Sequence, residues 1–286
     1  MKLVNKYIPF FKVGVHQSIA YKTNWLFIIV GNILNCFVSF YLWKAIFDSN
    51  KSKSFLGFSL EEMIVYIFVT FITKTMIGSD VTDEIGQEIK DGSIAIRLLK
   101  PISYNTTFIY KEIGEKVINL ALLFVTIIVG VEIYRYRMSG LIQLSIERLL
   151  FFVISVVLSY FINVFLNITY GFTAFFFKNL WGSNMLKNCI ISFMSGSIIP
   201  FDFLPYSVEK VLNVLPFASL NYVPVLIYMG RYSKREVFIK LGIQIFWIFL
   251  FWGLSKIMWK IAFKHLVVQG LSLIHISEPT RRRGIS

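Results

Sequence analysis

Residues 149–177 read LLFFVISVVLSYFINVFLNITYGFTAFFF, 29 positions without a single Asp, Glu, Lys or Arg. An apolar helix needs ~20 residues to cross the ~30 Å hydrocarbon layer of a bilayer. An isolated strand would leave its backbone unsatisfied there. The stretch therefore predicts a membrane-crossing helix, long enough to tilt or protrude. Five further apolar runs have the same character, at about 25–47, 60–79, 117–133, 184–199 and 237–259. The expected fold is all-α: a polytopic membrane protein with six transmembrane helices.

Composition agrees. Of the 286 residues 56% are hydrophobic, 16% are charged, 29 are Phe, and the mean hydropathy is +0.66. A soluble domain carries about 25% charge. These values exclude a disordered chain, a collagen-like fibre and an ordinary cytosolic enzyme. The net charge of +13 sits mostly between the apolar runs, as orientation against an anionic cytoplasmic leaflet requires, so nucleic acid is not an expected partner. With the N-terminus inside, inner segments hold 14 Lys and Arg against 9 outside. Both termini are then expected in the cytoplasm, in the cytoplasmic membrane of a bacterium. Cys36 and Cys189 fall in apolar runs and read as packing thiols rather than a disulfide or metal site. No cleaved signal peptide is expected.

Residues 1–24 carry Ile8, Phe11, Val15 and Ile19 on one helical face beside Lys12, His16 and Lys22, which predicts a cytoplasmic interfacial helix. The domain expected after it is a six-span transmembrane body over 25–270. Residues 271–286 break the pattern with SLIHISEPTRRR over 272–283. They read as a non-native tail and are set aside.

Catalytic chemistry is not visible. The three His stand apart, and HExxH, CxxC, GxSxG and the GxxxxGK[ST] phosphate cradle do not occur. No cofactor is expected in this chain. If ATP drives it, a second polypeptide holds the ATP.

The most informative connection is 80–101. Asp80 or Thr82 is placed to cap a short helix with Asp83 and Glu84 in its first turn. Ile85 and Ile89 share one face, and Gly92 stops the helix. A second apolar cluster, Ile94, Ile96, Leu98 and Leu99, is closed by Pro101. Such a segment can tidy the loop at the lipid interface, or dock on a cytosolic protein. The acids Asp80, Asp83, Glu84, Glu88 and Asp91 favour docking, because anionic lipid repels them.

Within the runs, Ser155, Ser159, Asn163 and Asn167 recur at i, i+4, and Asn32, Asn35 and Ser39 share a face. Each stripe reads as helix–helix glue or, functionally, as a substrate path or dimer seam. Lys74 lies inside the second run and reads as a snorkelling lysine. No Asp/Glu/His relay crosses the runs, which weighs against proton-coupled transport.

Gly92-Ser-Ile-Ala-Ile-Arg-Leu-Leu-Lys-Pro101 resembles the "Gly-x-Leu…Leu-Leu-(Arg/Lys)-Pro" stretch after the second span of type-2 ABC exporter permeases, the ABC-2 family. Ser195-Gly196-Ser-Ile-Ile-Pro200, with Pro205 and Leu215-Pro216-Phe217, resembles the family's end of span five; Val268-Gln-Gly270 resembles its ending more weakly. Ile94 and Ile96 stand where leucines are commoner. The resemblance covers essentially 1–270. It implies the transmembrane subunit of an ATP-binding-cassette exporter, paired with an identical or related permease and with two copies of an ATPase that carries ATP and Mg. It implies that Asp83, Glu84, Ile85, Glu88, Ile89, Gly92, Ile96, Arg97, Leu98, Leu99 and Lys100 couple to that ATPase, and that 200–230 forms re-entrant extracellular helices before the last span. The alternative is a secondary transporter or channel with no ATPase.

Overall fold

A computed structural model describes residues 5–20, 22–49, 54–55, 57–140, 144–177 and 179–276. Side chains at 22, 24–26, 28–29, 32, 54–55, 118–123, 139 and 265–276 lie outside the description. So do the expectations that fall there: the side chain of Asn32, the Val268-Gln-Gly270 ending and most of the tail.

The chain is almost wholly helical. In order come α1 (Ile8–Ala20), α2 (Lys22–Ser49), a hairpin of β1 (Ser54–Phe55) and β2 (Phe58–Ser59), α3 (Leu60–Ile77), α4 (Val81–Lys90), α5 (Ile94–Leu98), α6 (Tyr104–Ser139), α7 (Ile146–Gly171), α8 (Trp181–Met194), α9 (Tyr206–Leu212), α10 (Tyr222–Met229) and α11 (Lys234–Ile276). Single 3₁₀ turns follow α7 and precede α9. Residues 60–90, 146–175 and 234–264 are each long and apolar enough to cross a membrane by length and composition.

Local chemistry sets the boundaries. Ser59 and Glu62 form a reciprocal capping box at the start of α3. The Ser145 hydroxyl accepts from the Arg148 N–H at 3.2 Å to open α7. Gly140 closes α6 and Gly230 closes α10, both in the left-handed region.

Three expectations change in detail. The fifth apolar run is helical only to Met194, because Gly196 turns the chain at φ +74°; hydropathy does not distinguish an apolar turn from an apolar helix. The 14 residues of α8 reach roughly 21 Å at 1.5 Å per residue. Helix α7 gives way to a 3₁₀ turn after Gly171, six residues before its predicted end. The third run is the middle of a 36-residue helix, α6, whose polar first turns fell outside any hydropathy window.

Helix α7 is the hub. It packs on α11, α10, α4 and α3, burying Phe152, Ile162, Val164 and Ile168 completely. Helix α1 lies along α6 rather than merely alongside a surface. Gly14 faces the Lys111 carbonyl and Gly114 faces the Phe11 carbonyl so closely that a Cβ at either would collide with backbone. Such small-residue approaches let two helix backbones come into close dispersion contact. Helix α11, by contrast, leaves Phe238, Phe246, Phe249 and Ile257 exposed, as a lipid-facing helix should.

Candidate functional site

The α4–α5 segment is held in place by long-range polar bonds. Between α3 and α4 the chain makes a sharp elbow, 78–80, that leaves helix-end groups to be satisfied. Helix α6 supplies both partners. Lys116 Nζ donates to the Gly78 carbonyl and, at 3.3 Å, to that of Met76. Glu112 Oε1 accepts from the Asp80 N–H at 3.1 Å, and its Oε2 from the Tyr160 hydroxyl at 3.2 Å. Burial pushes the Glu112 carboxyl up and the Lys116 ammonium down, while each charge pulls the other back. Side-chain capping by Asp80 or Thr82 does not occur: Asp80 makes no such bond, and the Thr82 hydroxyl meets Asn167 Oδ1 at 2.8 Å.

Along α4, the acids turn toward the protein. Asn184 Nδ2 donates to both oxygens of Asp83 at 2.8 and 2.9 Å. Lys111 pairs with Glu84 at 2.6 Å. Glu88 pairs with Arg97 and accepts from the Tyr104 hydroxyl at 2.8 Å. Arg97 also donates to Thr107 Oγ1 at 2.6 Å and lies 4.1 Å over the Phe108 ring. Ile85 is fully buried against Gly171, and Ile89 and Leu98 pack on the core. Gly92, at φ +76°, turns the chain into α5. What remains outside is a corner: Ile96 is 68% and Leu99 85% exposed, flanked by exposed Lys90, Asp91 and Lys100. The predicted coupling residues thus divide into an inward anchoring set and an outward apolar set. A charge pattern alone did not separate them.

The α7 stripe is engaged within the chain. Ser155 Oγ donates to Gln244 Oε1 at 3.1 Å. Ser159 Oγ donates to the Ser219 carbonyl at 2.6 Å. Gln244 Nε2 donates to Ser159 Oγ at 3.0 Å and to the Ser219 carbonyl at 2.9 Å. Asn163 Nδ2 holds the Ile77 carbonyl at 2.8 Å, and Asn167 Oδ1 accepts from Lys187 at 2.5 Å. All four residues are buried. Gln244, Glu112 and Lys116 carried no local signal in the sequence, since their partners lie tens of residues away.

At the opposite end, Ser195 and Gly196 form a turn. The Tyr66 hydroxyl donates to the Gly196 carbonyl, and the Tyr222 N–H to that of Ser195 at 3.0 Å. A Cβ on Gly196 would press on Tyr222 and Phe201 at 3.1–3.2 Å. Pro200 precedes the 3₁₀ turn, Pro205 opens α9, and Pro216 is buried in the following turns. Asn35 lies elsewhere, in a cavity of about 530 Å³ between α2, α3 and α8. Among the described residues no group of three His, Cys, Asp or Glu is placed to hold a metal ion.

The sequence model of the family described as "ABC-2 family transporter protein" matches residues 33–270. The chain belongs to the ABC-2 transporter family. Among curated proteins, none matches it. The match takes in α4, α5 and the Ser195–Pro216 segment together with most of α2 and the helices that carry them. As an ABC-2 chain with membrane-spanning helices, it is a multi-pass membrane protein and a component of an ABC transporter.

Proposed function

We propose that this ABC-2 chain is the permease subunit of an exporter in a bacterial cytoplasmic membrane, moved by ATP that a separate ATPase hydrolyses. Six helices, α2, α3, α6, α7, α8 and α11, cross the membrane, with both termini in the cytoplasm. Helix α8, short on its own, completes its crossing through the 195–200 turn, whose Ser195, Gly196 and Pro200 are buried; non-helical backbone is tolerated at that depth where it packs on protein. Helices α9 and α10 re-enter from outside. Two permeases and two ATPases make the working unit, ATP and Mg lying on the ATPases.

One observation carries the reading. The α4–α5 segment engages Asp83, Glu84 and Glu88 in bonds to α8, α6 and its own Arg97 and presents Ile96 and Leu99 outward. A cytosolic corner that is rigidly backed, apolar at its tip and flanked by lysines fits a cleft in a protein better than water. Force applied there reaches α3 through the 78–80 elbow and α6 through Lys111, Glu112 and Lys116. Nucleotide then shifts the membrane helices between states because it changes how the ATPase grips the corner.

The test is a pair of substitutions at Gly92. Proline cannot adopt φ +76°, whereas asparagine tolerates the left-handed region. Gly92→Pro is expected to insert normally and to abolish stimulation of the ATPase by the permease, while Gly92→Asn keeps at least half of it. Equal stimulation in both would remove the corner from the mechanism.

A further inference from the structure

Among the described residues Lys74 has no ionic partner. It stands on α3 inside a predicted membrane span, exposed to the cavity of about 530 Å³ between α2, α3 and α8. Among the described residues no carboxylate reaches it: the ion pairs of the chain involve other lysines and arginines. Cys36 lines the same cavity and is the midpoint of the predicted span 25–47. From there either end of that span lies roughly 16 Å away at 1.5 Å per residue. Lys74 itself stands one turn from the end of α3, its carbonyl accepting from the Gly78 N–H at 3.0 Å, so the cavity runs from that depth toward the middle of the span.

The cavity wall around this cation is polar on α2, α3 and α8 alike: Asn35, Ser39, Thr70 and Ser192. Trp43, Ile67 and Phe71 supply its apolar side. A second cavity of about 470 Å³ shares Cys36 and Phe71 as walls and is otherwise lined almost entirely by apolar residues such as Ile33, Phe37 and Phe68. A cation in low dielectric attracts an anion strongly, and intramembrane charges mark ligand pathways. A head that is anionic and accepts hydrogen bonds, joined to an apolar tail, matches this division of surface.

We propose that the α2–α3–α8 cavity binds an anionic amphiphile, its head on Lys74, Asn35 and Ser39, and that this is the class of molecule the transporter moves. The substrate assignment rests on the exporter reading; the binding assignment does not.

The full-length chain in nanodiscs of zwitterionic lipid is titrated with a brominated alkyl sulfate and with the trimethylammonium compound of the same tail. Quenching of Trp43 is read as the difference between the wild-type chain and Trp43→Phe. The sulfate is expected to bind at least tenfold more tightly than the ammonium. Lys74→Gln should bring the two within twofold, and Lys74→Arg should keep the preference, which separates charge from misfolding. Equal binding of both heads, a preference that survives Lys74→Gln, or no quenching of Trp43 because a second copy fills the cavity would overturn the site. In proteoliposomes with the ATPase present, ATP should move the sulfate across the bilayer; binding without movement, as by a resident lipid, would overturn the substrate class. A complex whose ATPase responds to the permease but that shows no headgroup preference would refute this inference alone. A headgroup preference in a chain with no ATPase partner would refute the exporter reading alone.

Discussion

Glu112 and Lys116 stand one turn apart on α6 and grip opposite sides of the same elbow. Lys116 holds the carbonyls that end α3, and Glu112 holds the N–H of Asp80 that opens α4. One helix thereby fixes the angle between a membrane helix and the segment proposed to meet the ATPase. Both side chains are in the protein interior, so each compensates the other's loss of water.

Removing one member of this pair should cost more than removing both. Glu112→Gln leaves the Lys116 charge buried without its neighbour and is expected to lower stability by about 3–5 kcal/mol. The double variant Glu112→Gln/Lys116→Met should recover at least a third of that loss. Thermal unfolding of the solubilised protein reads both. A double variant as unstable as the sum of the singles would show that the two charges act independently.

Gly171 and Ile85 set how closely α4 approaches α7. A Cβ at Gly171 would lie 3.0–3.3 Å from Ile85 Cδ1, Cβ and Cγ2. Gly171→Ala is expected to cost ~1–3 kcal/mol through overpacking. Ile85→Ala alone should cost ~2–5 kcal/mol by leaving a cavity. The pair should be milder than their sum by at least ~0.5 kcal/mol, the coupling that contact implies. A double-mutant cycle measures it, and simple additivity would place positions 171 and 85 out of contact.

A pH dependence follows from Glu115. Burial first, then the charges of Glu84, Glu112 and Asp80, raise its pKa from 4.5 to about 7 against the pull of Lys111. A carboxyl raised in the folded state holds its proton more tightly there than in the unfolded chain. Its contribution therefore destabilises the protein fully above about pH 7 and vanishes below about pH 4.5. Glu115→Gln should melt higher than the wild type at pH 8 and equally at pH 4.5. Melting curves that stay parallel over this window would contradict the assignment.

Much of the architecture was legible because hydrophobic length is a local property. Each of the six apolar runs lies wholly or mostly on one helix, and the stop at Gly92 follows from its left-handed backbone. The stripe on α7 was visible at i, i+4, since 3.6-residue periodicity needs no knowledge of partners. What the stripe touches was not, because Gln244 and Ser219 meet it only after the chain has folded back. The partners of the α4 acids were hidden for the same reason: a carboxylate looks alike in sequence whether it faces a partner protein or, as Glu84 does, Lys111 of the same chain. Gly14 and Gly114 were ordinary glycines until α1 and α6 were seen to touch through them.

The central claim is that a separate ATPase grips this chain at the outward corner of α4–α5. A photo-reactive amino acid placed at position 99, or at 96, in membranes containing the assembled transporter tests it by cross-linking and mass spectrometry. The account predicts one dominant protein adduct, an ATPase bearing a GxxxxGK[ST] phosphate loop, whose yield changes when ATP is added. Adducts confined to lipid, or to a second copy of this chain, in a preparation that still transports would contradict it.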